Sequence, residues 1–523
     1  MGLAVLHRCI PSKSWNWCRR ALRAFLKGLN LPSSQDLYST PQRIGSSSLT
    51  DRVKTILLPT VISGEFCLLT TEDSVMLWMW LFSLLHICSW ASQVVNVCFM
   101  IFNCHCSFEL VESVPYDMPY ESNSTTAKPL DQAWMGLLNM AQDRIHMVSY
   151  YWSLTGKDIS VNDSSSEKGE DILKKLESLL MENVSVYIAT SFPTLAVKST
   201  DLNVLEAKGA RVRRIDFGKL TNGVLHTKFW IVDMKHIYIG SANMDWRSLS
   251  QVKEVGAVIY NCSCLAQDLW KTFSTYWDVG HANASIPDPW PANYSTNINK
   301  DRPLEVQFNG TLTKVYFSAS PPAFCPKGRT HDLLSVISII RDAQEYVYAS
   351  VMDYFPTSRF THPARYWPDI DDALRSVAFT RKVRIRLLIS CWLHTDPYML
   401  HYLQSLRALN DPDTHISMEV KLFIVPVLNH TNIPYGRVNH NKYMVTDKVA
   451  YFGTSNWSED YFTTTAGVGL IINQVSADPS KKNLSMQEQL KNLFERDWNS
   501  RYSVNLEDGH QQKDCLWKGG SQS

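Results

Sequence analysis

The chain has 523 residues, 45% hydrophobic and 11% aromatic, which is ample for a large packed core and too long for one ordinary domain. Its 51 basic residues nearly cancel its 50 acidic ones, leaving a net charge of +1. That balance excludes recognition of nucleic acid or anionic lipid by bulk charge, so an anionic substrate has to be gripped by a local site.

Residues 1–74 mix basic, Ser-rich and Pro-rich stretches without sustained periodicity. They read as a largely disordered cytoplasmic tail with a short amphipathic helix near Cys18 to Leu29. From Ser74 to Phe108 there is no Asp, Glu, Lys or Arg, and the apolar stretch Val75 to Phe102 exceeds the roughly 20 residues that cross a bilayer. It reads as a single transmembrane signal-anchor helix over 75–102. His86, Gln93 and Asn96 inside the run keep a buried core helix as the competing reading. Arg8, Lys13, Arg19, Arg20, Arg23 and Lys27 precede it and Glu109, Glu112 and Asp117 follow, an asymmetry that puts the N-terminus in the cytoplasm and the main mass in a lumen.

Glycosylation signals agree with that side. Acceptor triplets fall at Asn123, Asn162, Asn183, Asn261, Asn283, Asn293, Asn309, Asn429, Asn456 and Asn483, every one beyond the apolar run. Past the run the cysteines are Cys104, Cys106, Cys262, Cys264, Cys325, Cys391 and Cys515, an odd number that leaves at least one thiol free. The two C-x-C pairs fit disulfides in an oxidising lumen; a zinc site is the competing reading, although its usual spacing is C-x2–4-C.

From Ala133 onward helix-period segments alternate with short β-branched runs, the pattern of an α/β domain. The segments also repeat. Arg144 to Trp152 corresponds to Tyr346 to Tyr354, and Asp171 to Leu180 followed by Val184 to Ser191 corresponds to Asp369 to Ala378 followed by Val383 to Ser390. The third match is the strongest: His226-Thr-Lys-Phe-Trp-Ile-Val-Asp233 with Gly240-Ser-Ala-Asn243 downstream, against His440-Asn-Lys-Tyr-Met-Val-Thr-Asp447 with Gly453-Thr-Ser-Asn456. So long a period is no solenoid; it predicts two duplicated α/β halves packed face to face, 103–310 and 311–505, with a C-terminal tail at 506–523.

On a strand, His and Lys two residues apart share a face. The glycine of each G-[S/T]-x-N allows a tight turn that aims Asn at the same spot. Lys228 and Lys442 supply cationic donors, Asn243 and Asn456 amides, Ser241 and Thr454 hydroxyls, so the two copies together surround one phosphoryl group. Two histidines facing each other across it, His226 and His440, can divide nucleophilic attack from proton donation, a division suited to neutral or mildly acidic conditions. Asp233 and Asp447 complete each set, either at the substrate or as supports of strand and turn. Glu254, which the second copy replaces with Gly467, either orients a histidine through its other ring nitrogen or is a surface carboxylate. No carboxylate cage accompanies either copy, so no catalytic metal and no cofactor are expected. Asn456 belongs at the phosphate and is expected to carry no glycan.

These residues are the H-x-K-x4-D signature of the phospholipase D superfamily, which the chain resembles over roughly residues 104 to 515 with both copies complete. Gly240-Ser-Ala-Asn-Met-Asp-Trp-Arg-Ser-Leu-Ser-Gln-Val-Lys-Glu254 and Gly453-Thr-Ser-Asn-Trp-Ser-Glu-Asp-Tyr-Phe462 are similar to the lumenal vertebrate branch that holds its third and fourth members. Asp447 stands where that branch often has Glu. The resemblance implies a type II glycoprotein of endoplasmic reticulum, Golgi, endosome and lysosome, with release of its lumenal part by proteolysis and a homodimer among its expected states. Its implied activity is 5′→3′ exonuclease cleavage of single-stranded DNA and RNA, limiting Toll-like receptor sensing. The alternative it carries is transphosphatidylation of lysophospholipid to bis(monoacylglycero)phosphate, or phospholipase D activity. It further assigns His440 as nucleophile and His226 as general acid, and pairs Cys104 and Cys106 with Cys262 and Cys264, and Cys391 with Cys515.

Overall fold

The computed structural model describes residues 105–194, 199–474 and 484–515. The apolar run at 75–102, the tail before it, Cys104 and Asn483 lie outside the described residues. No helix among the described residues is long and apolar enough to cross a membrane.

The first run of strands is β1 (His105–Ser113), β2 (Arg144–Ser149), β3 (Ser185–Ser191), β4 (Arg211–Ile215), β5 (Phe229–Val232), β6 (His236–Gly240) and β7 (Glu254–Tyr260). They lie in the order β1-β7-β6-β5-β2-β3-β4, parallel along β2-β3-β4 and antiparallel elsewhere. Parallel neighbours need long crossovers. Helices α2 (Glu167–Met181) and α3 (Thr200–Ala207) supply them, while α1 (Leu130–Met140) leads into β2 and α4 (Ser263–Asp278) follows β7.

The second run is β8 (Leu304–Phe308), β9 (Thr311–Ser320), β10 (Tyr346–Val351), β11 (Arg384–Ser390), β12 (Met418–Phe423), β13 (Lys442–Thr446), β14 (Ala450–Gly453) and β15 (Gly467–Gln474), with helices α5 (Asp332–Asp342), α6 (Asp369–Arg381), α7 (Tyr398–Arg407) and α8 (Met486–Asn499). From β9 on, these strands lie in the order β9-β15-β14-β13-β10-β11-β12, again parallel only along the last three. Strand β8 is antiparallel to β9 and meets β1 in parallel at His105↔Gln307 and Cys106↔Phe308, so hydrogen bonding continues between the runs.

Central strands read as nearly continuous apolar runs because both of their faces are covered. In β2, Ile145 and Met147 face an outer apolar layer with Trp134, Leu137 and Leu138 of α1 and Leu176 of α2, whereas Val148 faces a central layer. In β10, Val347 and Ala349 face the other outer layer with Leu374 of α6, whereas Tyr348 faces the centre. Leu269 and Phe273 of α4 and Leu490 and Phe494 of α8 fill that central layer between the two runs. The apolar stripes of α1 and α8 recur at three- and four-residue steps, which is what a one-sided helix needs.

Two expected boundaries fall inside structure. Residues 310 and 311 sit at the tip of the β8–β9 hairpin, both arms of which belong to the second run, because a tight turn joins antiparallel neighbours and cannot separate them. The stretch after Asn505 is fastened and not a free tail as far as Cys515: Leu506 is buried and Cys515 is bonded to Cys391.

Candidate active site

Each histidine sits at the entry to a strand and is tied to the other run. His226, just before β5, donates its backbone N–H to Ala466 O at 3.1 Å, and His440, just before β13, donates to Lys253 O at 2.9 Å. Parallel bridges Leu225↔Ala466 and Lys253↔Asn439 stitch the same two places. The rings face each other with centroids 6.5 Å apart and planes at 70°, close enough for one phosphoryl group to touch both.

Their second nitrogens have different partners. His440 Nδ1 lies 3.0 Å from Glu254 Oε2, whose carboxylate is 1% exposed and also accepts Ser248 Oγ–H at 3.0 Å. His226 Nδ1 lies 2.8 Å from the carbonyl oxygen of Thr454, which fixes Nδ1 as its donor. Burial pulls the His226 pKa well below its ordinary value, and the charges of Lys228, Lys442 and His440 push the same way. Burial also lowers His440, with Glu254 opposing. For Glu254, burial acts upward but the charge and hydrogen bond of His440 outweigh it, so the carboxyl is held below its usual range. With Nδ1 turned to the Glu254 carboxylate, Nε2 is the His440 nitrogen left for the cleft.

Both lysines fold back on their own motif: Lys228 Nζ donates to His226 O, and Lys442 Nζ donates to His440 O at 2.7 Å. Burial lowers both, Lys442 to about 8. Two desolvated ammonium groups this near each other gain strongly from a bound anion. Asn243 lines the cleft; it and Asn456 each have a buried Oδ1 that has no hydrogen-bond partner, and Asn456 Nδ2 donates to Asp353 at 2.9 Å.

Three expectations change here. The hydroxyls of Ser241 and Thr454 do not face a phosphate. Ser241 Oγ exchanges hydrogen bonds with Val255 O and N at 3.2 Å, and Thr454 Oγ1 with Val468 O at 3.4 Å and Val468 N at 3.0 Å, so each locks its turn onto the neighbouring strand. The aspartates stand at the far ends of their strands. Asp233 accepts the N–H groups of Gln142, Asp143 and Arg144 at 2.8, 2.8 and 2.9 Å, and Asp447 those of Gln344 and Glu345 at 2.9 and 3.1 Å, fixing the loops that feed β2 and β10. Of the two readings of these residues, the supporting one fits. Finally, Gly240 is needed for close approach and not for an unusual turn: a Cβ there falls 2.8 Å from the Cα of Gly256.

Several cleft residues carry no signal in the repeat. Tyr150 packs on His226 at 5.3 Å and lies 5.7 Å from Lys228 Nζ, and Tyr461 meets His226 edge-on at 5.1 Å. Trp392 and Tyr435 wall the mouth of the 470 Å³ cleft, with His394 stacked on Tyr435 at 5.0 Å. Asp353 does fall inside a repeated segment, but as the counterpart of Tyr151, which pairs with Asp245 at 2.7 Å instead.

Elsewhere the cysteines pair as Cys106–Cys262 and Cys391–Cys515; Cys264 is disulfide-bonded too. The sulfurs of Cys106, Cys262 and Cys264 cluster as zinc ligands do, but oxidised sulfur is no thiolate donor, so the zinc reading fails. Cys325 is the free thiol among the described residues, half-buried and pushed up to about 12 by burial. Asn123, Asn162, Asn183, Asn261, Asn283, Asn293, Asn309 and Asn429 are exposed, whereas Asn456 is 3% exposed with its amide nitrogen engaged.

Two opposed His-x-Lys segments, each leading into a strand of a mixed α/β scaffold, define a phosphodiesterase of the phospholipase D superfamily. The family described as "PLD3/4, PLD-like domain" matches residues 122–427, and the chain belongs to it. It is 59% identical over 414 residues to the human protein named 5'-3' exonuclease PLD4, covering 79% of this chain and 82% of that one. To the Xenopus laevis protein named 5'-3' exonuclease PLD3 it is 49% identical over 450 residues, covering 86% and 90%. Among solved structures, phosphatidylserine synthase of Haemophilus influenzae aligns with a TM-score of 0.48 at 11% identity, over 72% of this chain and 86% of that one.

Proposed function

We propose that this chain is a 5′→3′ exonuclease that removes nucleotides from single-stranded DNA and RNA through a phosphohistidine. The observation that carries the mechanism is the unequal support of the two histidines, a buried carboxylate behind His440 and a backbone carbonyl behind His226. A carboxylate raises the basicity of the imidazole it touches and stabilises the positive charge that builds on it during attack. His440 Nε2 attacks phosphorus in line; the N–P bond forms as the bond to the 5′ oxygen of the next nucleotide breaks. His226 Nε2–H gives its proton to that oxygen. His226 then takes a proton from water, the hydroxide attacks phosphorus, the N–P bond breaks, and a 3′-phosphorylated nucleotide leaves. Asn243, which lines the cleft, and Lys228, Lys442 and Asn456, buried beside the two histidines, are the donors for the phosphoryl oxygens as charge accumulates on them, the lysines turning from the carbonyls of His226 and His440. Substrate charge also offsets the two lysines, which favours the protonated His226 the first step needs. Trp392, His394 and Tyr435 at the mouth offer ring faces to unpaired bases.

The matching strand orders support two duplicated halves facing each other across this cleft. With them go a signal anchor at 75–102, an endolysosomal lumenal location, a homodimer and a role in limiting Toll-like receptor sensing. The test sets a 5′-hydroxyl oligonucleotide beside lysophosphatidylglycerol, with wild type and His440→Ala, at about pH 5, the acid side of imidazole titration. Oligonucleotide loss in the wild type alone is expected. Headgroup exchange on the lysolipid without nuclease action sinks this reading in favour of the transferase.

A further inference from the structure

A second aromatic cavity, of 670 Å³, opens at the opposite end of the first run of strands from the catalytic cleft. On one side, α4 presents Trp270, Phe273, Ser274 and Trp277 at the i, i+3, i+4, i+7 steps that make one helix face. Tyr187 of β3 and His146 of β2 form the other side. Arg211 lies 5.1 Å over the Tyr187 ring and Arg213 4.2 Å over Trp277 and 3.8 Å from Asp278, which also lines the cavity, while Arg144, paired with Asp143 at 2.7 Å, stands on the rim.

Two details separate this cavity from an ordinary surface dip. His146 is 6% exposed and its Nδ1 is buried without a hydrogen-bond partner, although the ring stacks on Tyr187 at 5.0 Å and meets Phe273 at 4.8 Å. That nitrogen is closed off from the cavity, so His146 contributes its ring to the wall. The second run also supplies a control. Tyr348 takes the place of His146 against Phe494, and Arg386 takes the place of Tyr187, lying 5.2 Å over Trp498 and paired with Glu419 at 3.1 Å and Glu495 at 3.2 Å. There, an ion-paired arginine closes the position that the first run leaves open between aromatic walls.

We infer that this cavity is a second nucleotide site, in which a base stacks on Trp270 and Trp277 against the wall formed by His146 and Tyr187, and Arg211 meets the phosphate. Flat rings flanked by cations suit a base with its phosphate, as single-strand platforms do. The nucleotide comes either from the downstream part of the strand being degraded or from released mononucleotide. His146 and Tyr150 are four residues apart, about 13 Å of strand, so a dinucleotide occupied with catalysis cannot fill both sites. The inference rests on the nuclease reading.

The experiment compares wild type with Trp270→Ala, whose side chain is 41% exposed and dispensable for packing, and with His146→Leu. One arm measures KM and kcat on a dinucleotide and on a strand of about 20 nucleotides, longer than one such binding site. The other adds nucleoside monophosphate to the dinucleotide reaction. If the strand uses the cavity, Trp270→Ala raises KM for the long substrate about tenfold, the range of one lost base stack, and leaves kcat and dinucleotide kinetics unchanged. If free nucleotide uses it, wild type shows mixed inhibition that both variants lose. With an active dinucleotide assay, no change in either arm for either variant overturns the second site and leaves the nuclease reading standing. A wild type that cuts neither the dinucleotide nor the long strand overturns that reading as well. Asn293 on the rim is an acceptor triplet; effects that appear only in Asn293→Gln assign the cavity to that glycan and overturn the inference.

Discussion

Glu254, at the start of β7, and His440, at the entry to β13, are 186 residues apart in the chain and 3.0 Å apart in the fold. The contact makes two nearly identical half-sites unequal, since the corresponding position in the second copy is Gly467, where a Cβ alone falls 2.2 Å from Ser455 Oγ. Replacing Glu254 by Gln keeps a hydrogen bond but removes the charge. A 10–100-fold loss in kcat is expected, typical of a lost orienting carboxylate, with KM for oligonucleotide little changed. Steady-state kinetics decide it, and an unchanged kcat contradicts the orienting role.

Removing each histidine distinguishes the roles. With bis(p-nitrophenyl) phosphate, whose leaving group needs no proton, His226→Ala is expected to give a burst of nitrophenolate and a phosphorylated protein that turns over slowly. His440→Ala is expected to give neither. Mass spectrometry of the quenched proteins reads the adduct. Label on His440→Ala and none on His226→Ala reverses the assignment.

The pH dependence follows from the direction of the His226 shift. His226 must be protonated to act as acid, and burial with Lys228 and Lys442 holds it well below the ordinary imidazole range. Hence kcat/KM, which reports the free enzyme, should already be falling before pH reaches the ordinary imidazole range and should peak on the acid side. Lys228→Met removes one of the opposing charges. The basic limb of the profile should then move to higher pH while kcat/KM drops at every pH. A limb that stays in place shows that Lys228 does not set it.

Asp233 is expected to matter for stability and not for chemistry. Asp233→Ala leaves three backbone donors short of a carboxylate, a loss of about 1–3 kcal/mol. Urea unfolding should show it, with kcat of the folded enzyme within about twofold of wild type. A large fall in kcat at unchanged stability would return Asp233 to the catalytic set.

Asp332 offers a separate acid-linked contribution. Burial raises its carboxyl to about 6, although Ser318 and Tyr451 hydrogen-bond to it. A raised carboxyl binds its proton more tightly folded than unfolded, so its contribution is present in full below the ordinary Asp value and is lost as pH rises through 6. Asp332→Asn does not lose that proton. The Tm difference, variant minus wild type, should increase between pH 4.5 and 7.5; a flat difference removes Asp332 from the account.

Much of the site could be read from the chain because it is encoded locally and twice. His226 and Lys228, like His440 and Lys442, are legible as a set from their two-residue spacing, although His226, Lys228 and His440 stand just ahead of their strands. Repetition of the whole set made an accidental match untenable. The pairing of helix and strand segments announced an α/β fold for the same reason, since periodicity is a property of neighbours in sequence.

Orientation was not encoded in that way. Residue type established that Ser241 and Thr454 carry hydroxyls, but only the packing of β7 and β15 beside them turned those hydroxyls onto Val255 and Val468. The carbonyl of Thr454, not its side chain, became the partner of His226. Gly240 seemed to promise a turn and instead permits contact with Gly256 of a neighbouring strand.

The sequence by itself determined which groups are present, how often and at what local spacing, and so the phosphoryl chemistry available to the protein. Tertiary structure alone decided which histidine stands against a carboxylate, which Asp residues lie at the wrong end of their strands for substrate, and which rings line a cavity. Those relations join residues 89 to 228 positions apart, through short-range contacts that exist only once the strands of one run have paired or the two runs have packed together.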